Sequence, residues 1–106
     1  MAWTLLVIAG LFEVVWAYAM KLSMGFSHRG YAVLTIVAML VSFGLLSLAM
    51  RQLPLGTAYT VWTGIGAVGA FLAGVMILGE AVTPLRLVAA AMIVGGILLM
   101  KLASPS

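Results

Sequence analysis

A chain of 106 residues that is 66% hydrophobic and only 7% charged, with a mean hydropathy of +1.33, cannot cover itself with a wettable surface; soluble domains carry about 25% charged residues. The composition points to an all-α integral membrane protein, with at most four membrane helices and no room for a separate soluble domain. The net charge of +3 comes from basic residues standing singly at segment ends, the usual flanks of membrane helices, which argues against a nucleic-acid partner.

The first apolar run, from Met1 to Met20, predicts helix 1 over about 2–20. Twenty helical residues span about 30 Å, the thickness of a bilayer's hydrocarbon core. Ala17-Tyr18-Ala19 matches the small-x-small pattern of a signal-peptide cleavage site. However, no Lys or Arg precedes the run, an acid interrupts it, and it is too long for an h-region. The segment is therefore expected to remain as helix 1.

A polar connection, Lys21 to Gly30, leads to an uncharged helix 2 over about 31–50. Arg51 and Gln52 cap it, and Pro54-Leu55-Gly56 links it tightly to helix 3, with the proline suited to a helix start. Helix 3, over about 55–78, is the richest in small residues, and Gly66, Ala70 and Gly74 recur every fourth position. That stripe would let a second backbone approach closely. A turn through Gly79 to Pro84 precedes helix 4, over about 85–101, whose Arg86 and Lys101 are placed to snorkel to the two interfaces. Ala89 and Gly96, seven residues apart, share a face suited to a helix–helix contact.

Four spans put both termini on one side, together with Arg51 and Lys101; Lys21, Arg29 and Arg86 lie on the other. A bias of one charge is too weak to fix orientation. A chain so balanced is able to insert both ways round, and two opposed copies would reproduce the inverted repeat of larger transporters. Four short helices are also few to enclose a substrate, which separately favours a dimer.

Glu13 is the residue with the strongest chemical claim. A carboxylate at mid-membrane costs roughly 2.5–3.5 kcal/mol on insertion scales, and no Lys or Arg lies within two turns of it on its helix. Its missing partner is expected to be mobile: a proton or a cationic substrate. Low dielectric disfavours the charged carboxylate until a cation arrives, and two copies facing each other would titrate as a coupled pair. Ala9, Gly10, Trp16 and Ala17 flank it at helical spacing; the small residues clear space and Trp16 offers an N–H and a π face.

Helix 3 presents Tyr59, Trp62, Thr63 and Gly66 on one face, and a phenol beside an indole suits a cation site. Tyr59 also fits an interfacial aromatic belt. In helix 2, Thr35, Met39, Ser42, Phe43 and Leu46 follow helical spacing. Ser42 lies mid-span, within range either of Glu13 or of its own i−4 carbonyl. Gly64 and Gly66 suggest a bendable point in helix 3. Gly64-x-Gly66-x-x-Gly69 resembles a dinucleotide fingerprint but lies inside an apolar span, without the strand that motif requires. The sequence holds no metal-ligand cluster and no Ser/His/Asp set, so neither an enzyme nor a cofactor is expected.

Glu13 with Val14-Val15-Trp16, then Gly25-Phe26, resembles the small multidrug resistance family. The run Leu53-Pro54-Leu55-Gly56-Thr57-Ala58-Tyr59-Thr60-Val61-Trp62-Thr63-Gly64-Ile65-Gly66 is similar to that family's helix 3 signature. Trp16 and the run from Trp62 to Ala67 resemble its guanidinium-exporter branch. The resemblance implies a dual-topology antiparallel homodimer in the bacterial inner membrane, exchanging protons for guanidinium by alternating access. It further implies that protons and substrate compete for the Glu13 pair, with Gly10, Trp16, Ser42, Tyr59 and Trp62 lining the site. Helix 4 would hold the dimer through Ala89 and Gly96. Thr60 departs from the signature, where alanine is expected, and sits one residue off the Tyr59–Thr63 face. Export of quaternary ammonium or aromatic cations, a non-transporting assembly or regulatory subunit, and a passive cation channel are the competing readings.

Overall fold

The computed structural model describes residues 2–103. They form four helices: α1 (Ala2–Leu22), α2 (Arg29–Ala49), α3 (Leu55–Met76) and α4 (Pro84–Ala103). Each is long and apolar enough to cross a membrane. α1 continues two residues past Met20, and α3 stops two short of Leu78. Pro54 stands just outside α3 as its N-cap, where its carbonyl accepts from the Ala58 N–H at 3.0 Å.

α1 packs against both α2 and α3, whereas α4 lies along α3 alone. Small side chains set the α1–α2 approach. Ala2, Leu6 and Ala9 of α1 are buried, as are Thr35, Ala38, Ser42, Leu46 and Ala49 of α2. Both sets recur at three or four residues and so face one way. The core gathers where α1 starts, α2 ends and α3 begins, around Leu6, Leu46, Leu53, Ala58, Val61 and Trp62. No residue of α4 is buried. The Cα envelope measures 43 × 34 × 16 Å, a slab with open faces.

α3 receives α1 through its glycines. A Cβ on Gly66 would strike the Glu13 carboxylate, and one on Gly69 would strike Val14. The stripe of Gly66, Ala70 and Gly74 therefore admits side chains as well as a close backbone: Glu13 fills the gap at Gly66 and Glu80 the gap at Gly74. Gly64, on another face, makes room for Ile97 of α4, whose Cδ1 would lie 2.8 Å from an added Cβ.

The links are built by short polar contacts. Ser23 Oγ donates to the Met20 carbonyl at 2.7 Å and accepts from the Phe26 N–H at 3.0 Å. Those bonds hold Met24, Gly25 and Phe26 in successive left-handed conformations, φ +50°, +73° and +69°. α4 opens on Thr83, whose Oγ1 accepts from the Arg86 N–H at 3.1 Å, with Pro84 in the first helical position. Arg86, at the start of α4, is tied to the preceding loop by Glu80 and the Ala81 carbonyl. Lys101 folds over the Trp3 ring, 4.4 Å from its centroid.

Candidate functional site

The site is assembled from the middle of α1, α2 and α3. Oε1 of Glu13 is buried and has no hydrogen-bond partner, and it lies against the bare backbone of Gly66. Among the described residues the sole ion pair joins Arg86 to Glu80 in the α3–α4 loop, so none of the described cations serves Glu13. A carboxylate oxygen left unpaired out of water costs more than the same group hydrated or paired. The nearest basic residue along α1 is Lys21, eight positions on, in the last turn of the helix.

One turn along α1, the Trp16 Nε1–H is also buried and unpartnered. The Trp16 ring meets Phe43 of α2 edge-on, with centroids 6.5 Å apart at 67°. Phe43 in turn meets Trp62 of α3 at 5.7 Å, and Trp62 meets Tyr59 at 5.6 Å. These separations fall in the range of favourable aromatic pairs. A continuous aromatic strip thus crosses three helices beside the acid. Phe43 is the residue that sequence reasoning left out of the site; its place on the face shared with Ser42 was the available signal.

Ser42 is fully buried but is not bonded to Glu13. Its hydroxyl donates to the Ala9 carbonyl of α1 at 2.7 Å and accepts from Trp62 Nε1 at 3.0 Å. A hydroxyl has one proton to give, so this serine ties three helices together and fixes the Trp62 ring. Thr35, on the same helix, takes the i−4 bond instead, to the Tyr31 carbonyl at 2.7 Å. Ser42→Ala is expected to lose both cross-helix bonds and strand a buried indole N–H, costing about 1–2 kcal/mol. Denaturant unfolding in detergent micelles measures this, and unchanged stability would remove Ser42 from its structural role.

Gly10 faces α3, where Ile65 Cγ2 would lie 2.6 Å from an added Cβ, so its space is taken by packing against Ile65. Tyr59 is half exposed and borders a recess between α3 and α4. That recess, about 500 Å³, is lined by Thr60, Thr63 and Gly64 on one wall and Ile93, Gly96 and Ile97 on the other. Thr60 thus turns toward α4, away from Glu13. Ala89 and Gly96 are both exposed, and nothing lies within 4 Å of where a Gly96 Cβ would be.

A family model described as "Small Multidrug Resistance protein" matches residues 1–93. The guanidinium exporter of Escherichia coli strain K12 is 55% identical over 104 residues, covering 98% of this chain and 99% of that one. The guanidinium exporters of Citrobacter freundii and Salmonella typhimurium are each 53% identical over the same coverage. Similarity of this extent spans all four helices and the three links between them.

Proposed function

The chain belongs to the small multidrug resistance family, and on that footing we propose that it exports guanidinium-type cations in exchange for protons. The reading is carried by one observation: the Glu13 carboxylate presents a buried oxygen with no bonding partner. An acid held this way binds a proton or a cation, but not both. Mutual exclusion at one site is sufficient to couple the two gradients.

Guanidinium suits the site because it is planar and weakly hydrated, with N–H donors in a fork that matches a carboxylate. The aromatic strip supplies ring faces for a cation once its water is shed. Two copies in opposite orientation would bring two Glu13 side chains to one cavity. The slab shape of the protomer and an α4 with no buried residue both support a partner, seated through the face carrying Ala89 and Gly96. Trp16, Ser42, Tyr59 and Trp62 would orient the acids, and bending near Gly64 and Gly66 would open the cavity to alternate sides. On this reading the protein is a transporter, not an enzyme, in the bacterial inner membrane.

The exposed ring of Tyr59 and the half-open Phe43 would also accept a quaternary ammonium ion, which offers no N–H to a carboxylate. Vesicles containing only this protein separate the two. An inward guanidinium gradient is expected to drive proton efflux, and tetramethylammonium or tetrapropylammonium to drive far less. A preference for the tetraalkyl ions would overturn the substrate assignment, and cation flux without proton movement would overturn the coupling.

A further inference from the structure

The chain's other carboxylate, Glu80, is engaged in a different way. After α3 ends, Gly79 turns the backbone through φ +72°, and the Glu80 N–H donates to the Gly74 carbonyl at 3.0 Å. The Glu80 carboxylate comes to rest against Gly74, where an added Cβ would meet Oε1 at 2.6 Å. Arg86 reaches back to it from the first turn of α4. Its Nη1 donates to the Ala81 carbonyl at 2.6 Å and its Nη2 to Glu80 Oε1 at 3.4 Å. The guanidinium carbon stands 4.8 Å from the centroid of the Phe71 ring.

A carboxylate, a carbonyl and an aromatic face are the three partners a guanidinium group prefers. The group they hold is, chemically, a guanidinium ion on a tether. Both sides of the ion pair are about 40% exposed (40% and 42%), so its net strength is small and solution cations have access to it. Glu80 also lines a cavity of about 140 Å³ between α1 and α3, with Ala17, Tyr18, Lys21 and Ala70. Ala17 and Ala70 each stand one turn beyond the Glu13–Gly66 contact. The cavity therefore runs from one turn beyond the central acid to the loop carboxylate.

We propose that Glu80, the Ala81 carbonyl and the Phe71 ring form a second, peripheral guanidinium site, filled by Arg86 until a free guanidinium ion displaces it. Its role as an outer station for the cargo rests on the export reading above; its recognition chemistry does not. Tetramethylammonium lacks the N–H fork, gains only the ring face and the charge, and so competes weakly. Arg86, being tethered, acts as a competitor at an effective concentration on the order of mM, which weakens the site for free ions.

Equilibrium dialysis with labelled guanidinium, on protein in lipid nanodiscs, tests this. All chains carry Glu13→Gln so that the central acids do not contribute. With Arg86→Ala added, one guanidinium per chain is expected to bind saturably, up to about fivefold tighter than with Arg86 in place. Excess tetramethylammonium displaces far less of it than the same excess of unlabelled guanidinium, and Glu80→Gln abolishes it. A second measurement keeps the native cradle: the Arg86 Nε–H resonance is expected to shift saturably on titration with guanidinium and far less with tetramethylammonium. Absence of saturable binding, or binding that survives Glu80→Gln, overturns the inference, as does a static Arg86 resonance. Failure of the export reading would appear elsewhere, as wild-type vesicles that move no protons in response to guanidinium.

Discussion

Glu13→Gln is expected to reduce guanidinium-driven proton movement in vesicles to the level of empty liposomes, while leaving the fold intact or slightly more stable. The amide has nearly the same shape as the acid and fits the same gap against Gly66. It cannot exchange a proton in the working range, and it carries no charge to offset the desolvation of a cation. Hydrogen bonds to charged groups contribute about 1.5–3 kcal/mol each, so losing the charge at a two-pronged contact predicts at least about a hundredfold loss in guanidinium binding. Stability moves the other way, because a neutral side chain in an apolar span costs less than a carboxylate without a partner. The wild type is also expected to bind guanidinium more weakly as the pH falls, since protons take the same acid; in the Gln variant any residual binding is flat with pH. Retained, proton-coupled exchange in the Gln variant would sink the reading. Retained current without coupling would favour a channel, and an unaffected cellular phenotype would favour an assembly role.

The features legible in the sequence are those written along one helix. Four apolar runs of membrane length and a lone acid in the first of them need no knowledge of neighbours. The features that escaped depend on how one helix is rotated against the next. Ser42 was within range of Glu13 by depth alone, yet α2 is turned so that its hydroxyl meets the Ala9 carbonyl and the Trp62 indole. Phe43 enters the aromatic strip for the same reason, since burying Ser42 brings the next residue round between Trp16 and Trp62. The partner of Arg86 escaped because Glu80 is six residues away, beyond any helical spacing, and meets it only after the turn at Gly79. Gly66 read as part of a stripe for backbone contact; its use as the bed for a carboxylate needed the α1–α3 register.

That register makes Gly66→Ala the second decisive substitution. In an isolated helix the change is favourable, by about 0.8–1.0 kcal/mol. In this chain the new methyl occupies the position of the Glu13 carboxylate. The carboxylate is the far end of a flexible side chain, so it swings away at little cost and the helices stay packed. The acid, however, no longer sits where α3 holds it, and a misplacement of about 1 Å costs on the order of a hundredfold in a positioned reaction. Gly66→Ala is thus expected to weaken guanidinium binding by about ten- to a hundredfold with thermal stability unchanged or raised. Gly69→Ala should do the opposite. Its methyl meets Val14, whose branched side chain is stiff at χ1, so the helices must part and stability falls by about 1–3 kcal/mol, with less effect on binding. The pair also tests whether Gly66 acts as a hinge. A bending role predicts slower exchange between the two open states with guanidinium affinity preserved, and a matching defect in Gly64→Ala. A bed for the acid predicts lost affinity confined to Gly66→Ala, which binding measurements on the two variants, side by side in nanodiscs, resolve directly.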